Sequence, residues 1–299
     1  MDVGGEIGRI KTSLVHFLDP DFAIDHCGMA HPPSILKMDL RGFAVSGVFM
    51  GGVFFVTGGS RGIGAAAAHL AAERGYDVAL TYIGRKDSAE SVVADIEKLG
   101  RRAVAMQCDV ADPVAIRIAF EAVDRTFGRL DAFFNNAGIL WPHTRFVDIT
   151  AEQLSRTIAV NLVGAFHASQ HAIRRMSTRL GGNGGVIVNT SSMAARLGGA
   201  FECVDYAVSK GGVDTMTVGL AKEHAAEGIR VNGVRPGIIE TDIHASAGDP
   251  GRVARIASSV PIGRGGTARE VAEAVLWLCS PEASYVTGVT IDVAGGRGL

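Results

Sequence analysis

The strongest constraint on the fold of this chain is an alternation of short apolar strands and helices that begins at Val53. Segments such as 53–57, 77–82 and 130–134 are mostly apolar, and helical patterns that end at a glycine separate them. Such strands are typical of a parallel sheet that is covered by helices on both faces. Right-handed crossovers then place the ligand crevice at the carboxyl ends of the strands. The sequence therefore predicts an α/β fold with a doubly wound, Rossmann-like parallel sheet.

The chain divides near Met50 into two parts of different character. Residues 1–49 contain three prolines, mixed charges and no sustained apolar period, so we expect a poorly ordered N-terminal extension. Residues 50–299 are predicted to form a single domain. Four potential metal ligands cluster in the extension, but no second ligand pair accompanies them and we predict no metal site: Asp25, His26, Cys27 and His31.

Composition narrows the classes of partner. The chain has 299 residues, is 47% hydrophobic and carries a formal net charge of −2, so it offers no basic surface for nucleic acid or an anionic membrane. Its longest apolar stretch, residues 42–56, is shorter than the roughly 18 residues that a membrane span needs. The four cysteines are far apart and form no CxxC pair, which favours reduced thiols. We expect a cytoplasmic protein whose partners are small molecules or copies of itself.

A glycine-rich turn follows the first strand and opens an alanine-rich helix. It reads TGGSRGIG, from Thr57 to Gly64. Glycines at such a turn allow a sharp bend, a close approach of backbone to a pyrophosphate, and tight packing of the helix on the sheet. The helix N-terminus adds free N–H groups and a positive dipole end. The turn predicts a dinucleotide site, with these residues binding: Gly58, Ser60, Arg61, Gly62, Ile63 and Gly64.

The end of the second strand bears on which dinucleotide binds. An acidic residue there would hold the ribose 2′-hydroxyl of NAD, but the sequence runs from Leu80 to Arg85 without a carboxylate. Arg61 and Arg85 are instead placed to bind a 2′-phosphate. We therefore predict that the protein binds NADP(H) in preference to NAD(H). The alternative is that both arginines are solvated charges on the surface.

Two further strand ends fit the same ligand. Asp109 and Val110 follow the third strand, where a carboxylate can accept from the adenine amino group. Asn136, Ala137 and Gly138 follow the fourth strand, where small residues let backbone pass close to the adenosine. Taken singly, each of these ends could also be an ordinary turn.

A tyrosine and a lysine supply the most reactive pair in the sequence. Tyr206 and Lys210 are four residues apart on a predicted helix, so they share one face. A phenol has an ordinary pKa of about 10, and a neighbouring ammonium favours the phenolate. We expect Lys210 to bring the pKa of Tyr206 towards the working range. The alternative is a buried aromatic residue beside a lysine that reaches solvent.

These motifs, in this order, resemble the short-chain dehydrogenase/reductase family in its single-domain form. The resemblance covers about residues 50–299 and also includes NNAG at 135–138, VNLVG around Asn161, and the serine pair 191–192. It implies that Tyr206 is the general acid in reduction and the general base in oxidation, and that Lys210 binds the nicotinamide ribose. It further implies that Ser192 holds the substrate oxygen, with Ser191 as the fallback, and that Asn161 supports a water that relays protons to Lys210.

The resemblance also implies how the nicotinamide and the subunits are arranged. Pro236 and Gly237, after the sixth long strand, are expected to bind the cofactor, and Ile239 and Thr241 beyond them are expected to lie along the nicotinamide carboxamide. Substrate choice is expected to depend on Trp141, His143 and residues 193–201 and 242–261, the last of which should form a short mobile lid. Arg196 and Glu202 would suit a polar substrate, and Trp141, Met193 and Phe201 an apolar one. The family includes sugar dehydrogenases, 3-oxoacyl-thioester reductases and reductases of small ketones. Its members commonly form homotetramers.

Two other functions remain open at this point. One is a dinucleotide-binding sensor or scaffold without turnover, although the intact Tyr206–Lys210 pair argues against it. The other is a sugar-nucleotide epimerase or dehydratase of the related extended type. Only about 60 residues follow Pro236, which is short for the substrate domain of that type.

Overall fold

A seven-stranded parallel sheet lies at the centre of residues 51–299, the part of the chain that the computed structural model describes. The strand order is β3-β2-β1-β4-β5-β6-β9, so the direction of winding reverses between β1 and β4. The strands are β1 (Val53–Val56), β2 (Asp77–Tyr82), β3 (Ala103–Gln107), β4 (Ala132–Asn135), β5 (Gly185–Thr190), β6 (Ile229–Pro236) and β9 (Thr290–Val293). A separate pair is formed by β7 (Ile239–Glu240) and β8 (Gly266–Thr267). The predicted doubly wound α/β fold is confirmed.

Helices cover both faces of the sheet. They are α1 (Gly62–Glu73), α2 (Lys86–Lys98), α3 (Pro113–Phe127), α4 (Ala151–Ile158), α5 (Ala165–Met176), α6 (Ala194–Leu197), α7 (Val204–His224), α8 (Ile243–Ser246), α9 (Arg252–Ala257) and α10 (Ala268–Cys279). Alternate residues of each strand face opposite layers. In β1, Phe54 and Val56 pack with α1, α2 and α10, whereas Val53 and Phe55 pack with α3 and α5. Two apolar cores therefore fix the sheet from both sides.

The helical segment that begins at Ala151 is interrupted. A π-helical turn, Ala159–Gly164, separates α4 from α5. At the end of this turn Gly164 lies against the loop after β3, where an added Cβ would come within 2.4 Å of the Val110 carbonyl oxygen. A glycine here lets the helix approach the strand ends closely, and the turn directs Asn161 inward.

The expected lid contains regular structure that the sequence did not indicate. The short helices α8 and α9 lie within residues 242–261. No helix within residues 51–299 is long and apolar enough to cross a bilayer. The predictions for residues 1–49, including the rejected metal cluster, lie outside the described residues.

Candidate active site

A cavity of about 340 Å³ opens at the carboxyl ends of the parallel strands, at the point where the winding reverses. Most of the predicted site residues line it: Gly58, Ser60, Arg61, Gly62, Ile63, Asp109, Val110, Asn136, Ala137, Gly138, Ser192, Tyr206, Lys210, Pro236, Gly237, Ile239 and Thr241. Gly64, Arg85 and Asn161 are not part of its lining. Residues that are far apart in the chain therefore converge on one crevice.

Backbone atoms of the glycine turn form one wall of this cavity. Gly58 and Gly62 have φ values of +66° and +55°, a conformation that favours glycine. A Cβ on Gly64 would lie 2.2 Å from the Gly58 carbonyl oxygen, and one on Gly59 would lie 2.6 Å from Leu80 Cβ. Because no side chain fills the turn at these positions and α1 begins there, the wall fits a pyrophosphate.

A threonine that the sequence reasoning missed ties this turn to β4. The Thr57 hydroxyl oxygen accepts from the backbone N–H groups of Asn136 and Ala137, each at 3.0 Å. Asn136 Nδ2 donates back to the Thr57 carbonyl oxygen at 2.9 Å. The position of Thr57 at the end of β1, directly before the glycines, was the available signal.

The strand ends expected at the adenosine are held by polar contacts. Asp109 Oδ1 accepts from the Ala111 N–H at 3.0 Å, and Oδ2 accepts from Arg156 Nη2 at 2.8 Å. Each carboxylate oxygen can still accept a second hydrogen bond. Arg156, which also lines the cavity, was not among the predicted site residues.

The serine pair is divided between two tasks. The buried Ser191 donates its hydroxyl to the Lys210 carbonyl oxygen at 3.2 Å. Ser192 forms a hydrogen bond with the Tyr206 phenol, and its oxygen accepts from the Ala194 N–H at 3.1 Å. Of the two serines, Ser192 is therefore the one beside Tyr206.

Lys210 is a buried cation that is oriented by backbone. Only 3% of the residue is exposed, and Nζ donates to the Thr190 carbonyl oxygen at 2.7 Å. Nζ lies 5.6 Å from the centroid of the Tyr206 ring. Burial lowers the pKa of Lys210 to about 8, although Asp214 opposes the shift. The ammonium has two more N–H groups to offer to a ligand.

The expected lowering of the Tyr206 pKa is wrong for this site as it stands. The pKa of Tyr206 is raised to about 12, chiefly because the phenol is withdrawn from water. The hydrogen bond with Ser192 and the charge of Arg252 lower it only in part. The phenol is therefore protonated at neutral pH.

Asn161 is held by the loop that follows β4. Its Oδ1 accepts from the Ile139 N–H at 2.8 Å, and Nδ2 donates to the Ile139 carbonyl oxygen at 3.0 Å and to Ser209 Oγ at 3.3 Å. Gly138 leaves room between this amide and the lysine. The position that its Cβ would occupy lies 3.3 Å from Asn161 Oδ1 and 3.5 Å from Lys210 Nζ.

The residues around the substrate end agree with the expected ones in part. Met193 and Glu202 line the cavity, but Trp141, His143, Arg196 and Phe201 do not. Arg196 instead pairs with Asp292, and Phe201 is 80% exposed. Leu197 and Arg252, which lie within the expected stretches 193–201 and 242–261, line this end, and so does Arg297, which the sequence reasoning did not single out.

Comparison with known proteins adds independent evidence. Residues 58–297 match a family model described as Enoyl-(Acyl carrier protein) reductase. The chain is 49% identical over 245 residues to the uncharacterized oxidoreductase YgfF of Escherichia coli K12, covering 82% of this chain and 99% of that protein. It is 39% identical to an L-rhamnose 1-dehydrogenase (NAD(P)(+)) of Sphingomonas, over 82% of this chain and 96% of the relative.

A solved structure agrees in both fold and sequence. It is a short-chain dehydrogenase from Burkholderia cenocepacia in complex with NADP. The match has a TM-score of 0.76 and 39% identity, and it covers 82% of this chain and 97% of the other.

Proposed function

The chain belongs to the short-chain dehydrogenase/reductase family, and from that premise we propose that it transfers a hydride between NADP(H) and a small alcohol or carbonyl substrate. The substrate classes that the family offers are sugars, 3-oxoacyl thioesters and ketones. The observation that carries the proposal is the meeting of Ser192, Tyr206 and Lys210 in one cavity with the glycine turn. Residues 50–299 form the catalytic unit in this proposal.

The arrangement supports acid–base chemistry at a carbonyl oxygen. A bound NADPH supplies the hydride. Ser192 and Tyr206, which are hydrogen-bonded to each other, hold the substrate oxygen, and the phenol donates its proton to that oxygen. The raised pKa of Tyr206 keeps this proton in place at neutral pH. In the oxidative direction the same oxygen takes the proton back.

A proton route to Tyr206 runs past Lys210. The open position beside Gly138, close to both Asn161 Oδ1 and Lys210 Nζ, suits a water that bridges the two. In this proposal Asn161 orients that water while it also fixes the loop after β4. Lys210 would bind the ribose of the nicotinamide with its remaining N–H groups, and Ile239 and Thr241 would hold the carboxamide.

The preference for NADP(H) is supported mainly by Arg61. It lines the cavity beside the glycine turn, with Nη1 donating to Ser246 Oγ at 3.3 Å and lying 3.9 Å from Asp242. Arg85 is exposed and lies outside the cavity lining. Tyr82 and Ile83, at the end of β2, provide no carboxylate for a ribose diol.

Replacing Arg61 is therefore expected to weaken the binding of NADPH more than the binding of NADH. In Arg61→Gln the dissociation constant for NADPH rises by about tenfold or more, because a charge-assisted contact to the 2′-phosphate is lost, whereas that for NADH changes little. Isothermal titration with both dinucleotides measures the two constants. Arg85→Gln is the matched control and is expected to have the smaller effect. Equal losses for both dinucleotides would argue against the assignment.

The function itself is tested by a cofactor-by-substrate screen. The purified full-length chain is mixed with NADPH or NADH and a panel of ketones, aldoses and 3-oxoacyl thioesters, and dinucleotide oxidation is followed by absorbance. The corresponding alcohols are assayed with NADP⁺ and NAD⁺. Turnover of a carbonyl or alcohol supports the proposal. Tight dinucleotide binding without turnover of any compound would favour the non-catalytic sensor.

The serine pair offers an internal comparison. Ser192→Ala is expected to lower kcat by about 10²-fold, since the substrate oxygen loses a hydrogen bond and Tyr206 loses its partner. Ser191→Ala removes only a bond to the Lys210 carbonyl oxygen, so its effect is smaller. Steady-state kinetics on one reactive substrate compares the two. A larger loss for Ser191→Ala would move the substrate role to that serine.

We further propose that the protein is cytoplasmic and that it forms a homotetramer. Three free, buried cysteines suit a reducing compartment: Cys108, Cys203 and Cys279. Exposed apolar side chains on the helical segments between residues 151 and 224 suit subunit contacts: Leu154, Val163, Phe166, Val208 and Val218. Sedimentation equilibrium measures the assembly.

A further inference from the structure

Two arginines line the substrate end of the cavity. Arg252 lies on α9, and Arg297 follows β9 near the end of the chain. Burial and the charge of Arg252 lower the pKa of Arg297. The charge of Arg252 also reaches Tyr206, where it favours the phenolate. Positive charge is therefore concentrated close to the reacting atoms.

Arg252 is a buried cation with unused donors. It is 7% exposed, and Nη1 and Nη2 contact His143 Nε2 and Glu202 Oε2 respectively. Within residues 51–299, its Nε is buried and has no hydrogen-bond partner. A guanidinium has five N–H groups, and leaving one of them buried without a partner has an energetic cost. Because Arg252 lines the cavity, an acceptor on a bound ligand can supply the missing hydrogen bond.

The backbone that carries the partners of Arg252 is held in place. The Thr144 N–H donates to the Glu202 carbonyl oxygen at 2.9 Å, which joins the loop of His143 to the loop of Glu202. Directly before Glu202, Phe201 has a φ of +64°, a left-handed conformation that is uncommon for an aromatic residue. Strain of this kind persists where the surroundings fix it, typically at binding sites.

Arg297 leaves the cluster with an excess of positive charge. Among the side chains that the structure describes, none forms a hydrogen bond or ion pair with its guanidinium, although the residue is partly buried. Burial lowers its pKa and Glu202 partly offsets the shift, but an arginine stays charged at any working pH. Two guanidinium groups against the one carboxylate of Glu202 leave one net positive charge.

We propose that this cluster of Arg252, Arg297 and Glu202 binds a carboxylate on the substrate, so that the enzyme acts on oxo acids and their hydroxy acids. The inference rests on the proposed function and narrows its substrate class. A single excess positive charge matches a carboxylate monoanion better than a phosphate dianion. In reduction, the carbonyl carbon of the oxo acid gains a hydride from NADPH and its oxygen gains the Tyr206 proton. The products are the hydroxy acid and NADP⁺.

The test compares matched pairs of substrates on the full-length chain. Short-chain 2-oxo and 3-oxo acids are assayed with NADPH, each beside its methyl ester. A phosphorylated ketone is assayed beside the same ketone without its phosphate. We expect kcat/KM for the acid to exceed that for its ester by about tenfold or more, because the acid makes a charge-assisted contact that the ester lacks. In Arg297→Gln the KM for the acid rises by a similar factor, so that the preference for the acid over its ester is lost.

Three further variants separate this role from a structural one. Arg297→Lys keeps the charge and is expected to restore part of the preference. Arg252→Gln tests the other cation, with thermal melting to detect a loss of folding, since Arg252 is buried among its partners. Arg255→Gln is the matched control: it lies on the same helix, pairs with Asp249 and is outside the cavity lining.

The outcomes distinguish this inference from the proposed function. Reduction of esters and ketones without a preference for the acids, or a preference for the phosphorylated ketone, would overturn the inference and leave the function standing. If no compound turns over, the proposed function is wrong. Ligand binding then tests whether the cluster is a carboxylate site. Short-chain carboxylates should then raise the melting temperature of the NADPH complex in the parent but not in Arg297→Gln. No shift in the parent would overturn the inference.

Discussion

Replacing Tyr206 with phenylalanine is expected to lower kcat for carbonyl reduction by about 10³-fold, within the range for loss of a general acid. The substitution removes the hydroxyl that is hydrogen-bonded to Ser192 and leaves the ring in place. The ring beside Lys210 Nζ keeps its packing, so NADPH affinity should stay close to that of the parent. Single-turnover kinetics with the best substrate of the screen, together with NADPH titration, measures both quantities.

The matched control for this variant is Tyr285→Phe. Tyr285 is fully exposed and does not line the cavity, so its loss should leave kcat and stability unchanged. Equal rates for Tyr206→Phe and the parent would remove the acid–base role from this phenol. A parallel loss of kcat and NADPH binding would instead indicate that the side chain is mainly structural.

The fold could be predicted because its signal is local. The strands are apolar because helices cover them on both sides, and the apolar pattern is visible without knowledge of any distant contact. In β1 the consecutive residues Phe54 and Phe55 face opposite cores, which explains the absence of a polar alternation there. The turn after β1 was equally local, since its glycines follow one another within Thr57–Gly64.

The interruption between α4 and α5 could not be predicted in the same way. The residues of the π-helical turn Ala159–Gly164 continue the helical pattern, so the sequence gives no reason to end a helix there. The relevant constraint is the close approach of Gly164 to the Val110 carbonyl oxygen, a contact between distant segments. Tertiary contact overrides local propensity at such a point.

The residues of the site also fall into two groups, those that a local pattern predicts and those that come together only in the fold. Tyr206 and Lys210 were found because the chemistry requires both on one helix face, four residues apart. Glu202 and the stretch that contains Arg252 were expected near the substrate, but their pairing could not be predicted because these residues meet only in the fold. Arg252 lies 109 residues from His143 and 50 from Glu202, so no spacing rule links them. Their signal is a buried charge beside its partners, which only coordinates provide.

The pKa of Tyr206 could not be predicted from the Tyr206–Lys210 pair alone. From the sequence, the ammonium of Lys210 was expected to lower it. In the fold, the dominant effect is removal of the phenol from water, which disfavours the charged phenolate and raises the pKa to about 12. Lys210 itself responds to the same burial in the opposite sense, since burial disfavours its charged form.

The second large effect is expected from Gly64→Ala. The added Cβ would lie 2.2 Å from the Gly58 carbonyl oxygen and 2.7 Å from Asn136 Nδ2, so the turn has to shift. The atom it meets first is backbone, which has no rotamer to escape into. Overpacking of this kind costs about 1–3 kcal/mol of unfolding free energy. Urea denaturation measures that loss.

The same substitution is expected to raise the NADPH dissociation constant by about 10²-fold, because displacement of Gly58 moves the backbone that forms the pyrophosphate wall. The Gly58 N–H donates to Thr81 Oγ1 at 3.1 Å, and the shift strains this contact as well. Gly219→Ala on α7 is the control: its Cβ meets nothing within 4 Å, and alanine should stabilise the helix by up to about 1 kcal/mol. If Gly64→Ala loses stability but binds NADPH as the parent does, Gly64 packs the helix on the sheet without shaping the dinucleotide site. If both properties fall together, as we expect, one glycine serves both purposes because the wall of the site and the start of α1 are the same stretch of backbone.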